Sequence, residues 1–217
     1  MTETALRREI CRVGASLYAR GYVHSTAGNI SAKLDDGGFL ITPTDACMGS
    51  LDPSNLARLD ANGQQIDGDR ASKTIVLHRK IYESAPQARS IIHTHSTHAV
   101  ALTLANPDAR EDLLPPITPY FVMKVGHVPV IGYHHPGSPH TANAVSQKIR
   151  DMEAAGRPIR AVMLARLGPT VWAETPGQAS AVLEELEETA RLYLLTRPAA
   201  LTKMQIDELH STFKASW

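Results

Sequence analysis

Arg89-Ser90-Ile91-Ile92-His93-Thr94-His95-Ser96-Thr97-His98 is the stretch on which the reading of this chain turns. The apolar run is short and ends in polar residues, as a buried strand does at the rim of a sheet. Side chains alternate faces along a strand, so residues two apart point the same way. His93 and His95 therefore stand side by side at a strand end, where sites on α/β scaffolds tend to open. Two such imidazoles can chelate a divalent cation, and imidazole suits zinc. They serve equally well as structural histidines hydrogen-bonded in a polar cleft. His98, a turn further on, is a third nearby nitrogen.

Working outward, the spacing predicts a strand over 89–93 and a helix from about Thr97 to Ala105. Upstream, Leu6, Ile10, Val13 and Leu17 recur at helical spacing, with Gly21 suited to the position just past the helix end. Ser25-Thr26-Ala27-Gly28-Asn29 is a loop of small polar residues. Strands are expected over 30–34 and 39–42, and again over 56–60 and 64–66 around the hairpin signal Asn62-Gly63. Ser72 reads as the N-cap of a helix running to about Ser84. Downstream, 113–119 is Pro-rich loop, and Val128-Pro129-Val130-Ile131 is a strand that Pro129 assigns to an edge or an end. A helix over 141–154, a strand over 161–165, a turn at Gly168-Pro169, a strand at 171–173 and a long helix from Pro176 follow. A short helix over 205–213 closes the pattern. Strands interleave with helices, yet several pair locally through tight turns. The expected fold is one α/β domain over 1–217, a three-layer α/β/α arrangement with a mixed, largely antiparallel central sheet.

Bulk properties narrow the function. The chain has 217 residues, with 22 Lys+Arg against 22 Asp+Glu. That balance gives no electrostatic case for nucleic acid or an anionic membrane as partner. No apolar run approaches the roughly 20 residues that span a bilayer. The first residues are polar and charged, unlike a secretory signal. Cys11 and Cys47 are expected to be free thiols in a reducing cytoplasm.

Several segments, in this order, resemble the class II aldolase family, whose fold is shared with fuculose-phosphate aldolase, ribulose-phosphate epimerase and adducin heads. They are Thr26-Ala27-Gly28-Asn29-Ile30-Ser31, Ile41-Thr42-Pro43-Thr44, Ser72-Lys73, His93 to His98, Leu164 to Pro169, and the Glu-rich helix from Glu184 to Ala190. The likeness covers roughly residues 5 to 210. The Ser-Lys pair, the His-Ser-Thr run and Thr118-Pro119-Tyr120 look nearest to the 3-oxo-tetronate 4-phosphate decarboxylase branch. The resemblance implies a lyase that breaks a carbon–carbon bond of a small oxidised sugar acid or related carboxylate and stabilises the resulting enediolate. It implies a divalent metal, zinc foremost, held by histidines that include His93 and His95. It also implies an anionic substrate held by Gly28, Asn29, Thr44, Asp45, Ser72 and Lys73, and a homotetramer with clefts at subunit boundaries.

The chain departs from that pattern at three positions. Where the family carries its third metal histidine, this chain has Leu167 of Arg166-Leu167, and leucine ligates nothing. Where the family carries its acid/base glutamate, it has Thr74, which does not titrate near neutral pH. Where glycine follows the phosphate loop, it has Asp45, whose charge repels a phosphate unless a cation intervenes. His98, His134, His135 and His140 are candidate replacement ligands. Lys73 and Arg166 are candidate fixed cations that could stabilise an oxyanion without metal, and Arg166 a carboxylate clamp. Solvated surface charge is the ordinary alternative for both. Tyr120 and Tyr133 are candidate proton donors or packed aromatics. His24, His78, His127 and His210 are expected to be structural. The acidic residues 184–188 are expected to form a solvated helix face. A metal-free relative and a non-catalytic binding domain are the competing readings.

Overall fold

The computed structural model describes residues 1–105, 107, 108, 110–215 and 217. The repeat Leu6, Ile10, Val13, Leu17 forms the buried stripe of α1 (Glu3–Ala19). Thr2 Oγ1 caps it by accepting from Ala5 N at 3.3 Å. Five further helices follow: α2 (Ile75–Ser84), α3 (Thr97–Leu104), α4 (Pro139–Ala154), α5 (Pro176–Thr196) and α6 (Lys203–Phe213).

The strands are β1 (Asn29–Lys33), β2 (Phe39–Ile41), β3 (Ala57–Leu59), β4 (Gln65–Asp67), β5 (Ser90–His93), β6 (Val130–Ile131), β7 (Ala161–Leu164) and β8 (Gly168–Ala173). They form one sheet in the order β4-β3-β2-β1-β5-β8-β7-β6. Every adjacent pair is antiparallel except β6 with β7. The sheet is thus mixed and largely antiparallel, as expected. Pro129 precedes β6, the edge strand, where its missing N–H breaks no ladder.

Alternation along the strands builds a core on each face. Ile30, Ala32, Leu40, Ile92, Met163 and Val171 pack under α1, α3 and α5. Phe39, Ile41, Ile91, Val162, Leu164 and Trp172 pack under α2 and α4. Each fully buried side chain of this kind stabilises the fold by about 1.5–3 kcal/mol. β5 lies at the centre, so all four of its residues are buried, and its C-terminal end delivers His93 to the α2/α4 face.

Two local expectations are corrected. Ser72 is not the N-cap: α2 starts at Ile75, and Thr74 flanks it without a capping bond of its own. Ser72 instead extends a strand-like segment beside the loop after β2, donating its N–H to Thr42 O at 3.3 Å. Gly168-Pro169 is not the turn but the start of β8; the turn falls at Ala165 to Leu167. A Cβ on Gly168 would lie 1.9 Å from Thr94 O, so glycine is what lets these backbones meet. Beyond the Pro-rich loop, Phe121–Val125 forms a π-helical turn that periodicity did not reveal.

Candidate active site

The candidate crevice lies where β1 begins, β5 ends and β8 begins, with the residues that lead into α2 beside them. Asn29 is paired with His93 across β1 and β5, and His93 with Thr170 across β5 and β8. Gly28 enters with φ +82°, and a Cβ there would sit 2.7 Å from His93 O. The loop therefore touches the histidine backbone only because residue 28 has no side chain.

His93 is 6% exposed. Its Nδ1 lies 3.1 Å from Pro169 O and 3.0 Å from Thr170 Oγ1. The carbonyl can only accept, so Nδ1 carries the proton and Nε2 keeps its lone pair. Burial, and then the neighbouring His95, push its pKa down to about 3, so the ring is neutral at ordinary pH. The His95 ring stands edge-on to it, centroids 5.2 Å apart. Partial burial lowers the His95 pKa too, with a smaller contribution from His24. The strand geometry thus brings the two imidazoles together.

Asn29, Ser72 and Thr74 join them. Asn29 Nδ2 donates to Thr74 Oγ1 at 3.2 Å, and Ser72 Oγ to the same oxygen at 3.2 Å. Asn29 Oδ1 is buried and makes no hydrogen bond among the described residues, an acceptor that the protein itself leaves unsatisfied. Beneath them, His78 Nδ1 and the Tyr82 hydroxyl each lie 2.7 Å from Ser31 Oγ. His78 is fully buried, and burial first, then His93, brings its pKa to about 3. His78 is structural, as expected, but it is structural inside the wall of the crevice.

Thr44 lies on the neighbouring loop and donates its N–H to Arg70 O at 2.9 Å. Asp45 follows with φ +57°, the left-handed conformation that glycine adopts freely and aspartate tolerates. Both open on a cleft of about 500 Å³ that also holds Arg70, Asp52 and Asp69. Lys73 is exposed at the start of α2.

Other predicted residues lie elsewhere. Arg166 adopts φ +63°. It donates its N–H to Thr103 Oγ1 at 2.9 Å and Nη2 to Leu104 O at 3.2 Å. It is thereby turned onto α3, away from the α2/α4 face. Leu167 packs instead against the α2/α4 core, the face that carries His93. Tyr120, 62% exposed, opens on a separate cavity of about 710 Å³ with Trp172, Ala173 and Glu185, at the far end of β8. Tyr133 is also exposed. His98 is engaged by Glu187, 2.8 Å from Nδ1. His134 and His140 rings are 6.3 Å apart, near each other rather than near the pair. His127 bonds Asp112 at 2.8 Å, and His210 bonds Ala215 O at 2.9 Å.

Glu187 was missed. It is not on a solvated face but 3% exposed, accepting from His98 N at 2.8 Å and Ala99 N at 3.0 Å. Only its place on the apolar stripe of α5, one position after Leu186, hinted at burial.

A catalytic metal needs three protein ligands and an open position. His93 offers Nε2 and His95 a second nitrogen, and the side chain that the β7–β8 turn sends to the α2/α4 face is Leu167, which offers none. Among the described residues no group of three or more His, Cys, Asp or Glu could hold an ion. The donor set does not fit a resident catalytic metal.

A sheet of this order, with a histidine pair at the end of its central strand and a small-residue loop beside it, defines a class. Residues 8–194 match the Class II Aldolase and Adducin N-terminal domain, and the chain belongs to that family. A divalent metal is typical of its members. The 3-oxo-tetronate 4-phosphate decarboxylase of Cupriavidus necator is 50% identical over 223 residues, covering all of this chain and 99% of that protein. The protein of the same name from Escherichia coli K12 is 37% identical, over 96% of this chain and 97% of that one. The crystal structure of YgbL from Escherichia coli superposes with a TM-score of 0.85 at 36% identity, covering 95% of this chain and 98% of that one. The fold and the branch anticipated from the motifs are the ones found.

Proposed function

We propose that this chain is a carbon–carbon lyase that decarboxylates a small 3-oxo sugar-acid phosphate in the crevice at the end of β5. The convergence of Gly28, Asn29, Ser72 and Thr74 on His93 carries the reading, and full-length similarity to decarboxylases supports it. In such a substrate the carboxylate is β to a ketone. The bond between them breaks, CO₂ leaves, and the electron pair moves onto the ketone oxygen as an enolate, which later takes a proton on carbon. Donors already aimed at that oxygen lower the barrier.

The chain's own groups divide the work. Backbone N–H groups at Gly28-Asn29 and the hydroxyls of Thr44 and Ser72 hold the phosphate, with Asp45 at the rim. Thr74 orients Asn29 and transfers no proton. The neutral rings of His93 and His95 line the reacting end, and Lys73 supplies the fixed positive charge that Arg166, turned onto α3, does not. Tyr120 reaches such a crevice only from a neighbouring copy, which suits a homotetramer with shared clefts. A cytoplasmic setting suits two free thiols.

Zinc is the cation to expect if one binds, and the Leu167 and Thr74 substitutions favour a metal-weak site. Purified protein supplied with 3-oxo-tetronate 4-phosphate should release CO₂, and elemental analysis should find zinc well below one per chain. No CO₂ release, with or without added zinc, leaves a non-catalytic binding domain. One tight zinc per chain overturns the metal-weak site.

A further inference from the structure

Among the described residues, Glu187 is the one carboxylate enclosed in the interior. A buried charge persists only when its oxygens are satisfied. Here Oε1 accepts from both His98 N and His98 Nδ1 at 2.8 Å, and Oε2 from Ala99 N at 3.0 Å. These are first-turn N–H groups of α3, which Ser96 leaves without a side-chain cap. A carboxylate there also meets the positive end of the helix dipole. Glu187 sits on α5, in the layer that also holds α3, so its bonds fix the first turn of α3 and with it the end of the segment that follows β5.

That segment carries His95. On one side, Thr94 N donates to Pro169 O at 3.2 Å, and Gly168 lies against Thr94 O. On the other, Glu187 fixes His98 and Ala99. Between the two clamps, the His95 ring makes no hydrogen bond among the described residues, whereas His93 is held through its own Nδ1. The place of the His95 Cα is therefore set from both ends of its segment, and from there its ring meets His93 edge-on.

We propose that Glu187 is a positioning residue for His95, holding that ring at its angle to His93 from the layer of α3 and α5. The inference rests on the reading of the crevice as the reacting site. It adds a residue that touches neither substrate nor the ring it controls.

The test compares Glu187→Gln, which keeps the shape and loses one acceptor, with His98→Ala, which keeps both backbone bonds. Histidine-ring NMR, amide exchange and steady-state turnover are measured on the full chain. Glu187→Gln should speed exchange at His98 and Ala99 and shift the His95 ring signals while those of His93 stay. It should lower kcat by roughly 10- to 100-fold at unchanged KM, the cost of a small misplacement near the chemistry. His98→Ala should leave the His95 signals and kcat nearly as they were. Should Glu187→Gln not fold, Glu187→Asp, which withdraws the charge by one methylene, should show the same pattern more weakly. Unmoved His95 signals in a folded variant, or equal shifts at His93 and His95, overturn the proposal. Ring signals need no turnover, so an inactive wild-type chain would remove the decarboxylase reading and leave this test standing.

Discussion

The end of β5 and the β7–β8 turn face one another, and they differ in what holds them. At the end of β5, His93 keeps a lone pair free because its other nitrogen is spent on β8's backbone. Across from it, the turn presents Leu167 to the same face and sends Arg166 to the other. One side carries an imidazole with a lone pair to offer and the other an apolar side chain, and paired strands of one sheet join them. The same sheet thus places a polar and an apolar side chain on one face, at neighbouring strand ends.

The sharpest way to break this comparison is at the backbone. Gly168→Ala sets a Cβ 1.9 Å from Thr94 O at φ +146°, a clash that no rotamer relieves. It should destabilise the fold by at least ~3 kcal/mol, read as a drop in the urea midpoint. The next variant reverses the closed corner. Leu167→His together with Thr74→Glu should raise zinc affinity by at least about 100-fold, because a third ligand completes the set. Isothermal titration with zinc would show it. A variant that binds no better would mean the turn no longer aims residue 167 at the pair.

Acid addresses the wall of the crevice. His78 has a native pKa near 3, against about 6.5 in an unfolded chain. Its folded form excludes the proton, so stability is full above pH 6.5 and is lost progressively as pH falls toward 3. Urea midpoints should decline across that window, and less steeply in His78→Gln. The smallest effect is expected from Tyr82→Phe, which removes the bond to Ser31 Oγ. It should cost about 1 kcal/mol by thermal unfolding and leave zinc affinity in the doubly substituted chain unaltered.

Much of this was legible in the residues. Alternation through Ile91, Ile92 and His93 placed the strand and the face, and Pro129 marked an edge. The family motifs pointed to the loop at Gly28-Asn29. What could not be read was direction. Whether Arg166 or Leu167 faces the crevice depends on a left-handed residue in the turn. Ser72 looked like a cap because serine before an apolar run usually is one; its hydroxyl does accept the Thr74 N–H at 3.4 Å, but the helix begins only at Ile75, so that bond lies ahead of its first turn. Glu187 sat in a run of acids that looked solvated, and only the approach of α3 to α5 made one of them interior. Tyr120 flanks the π-helical turn, a form with no periodic signature, and it opens on another cavity.

One consequence concerns how the chain is made. The crevice takes its walls from residues near 28, 72, 93 and 170, and β5 gains its second neighbour only when β8 arrives. A ribosome that has delivered the chain only as far as α4 holds a central strand, rich in isoleucine, with one margin bare. Such margins recruit other chains. Ligand binding at the crevice should therefore report completed synthesis and folding, and truncation before β8 should yield aggregates rather than a weaker enzyme.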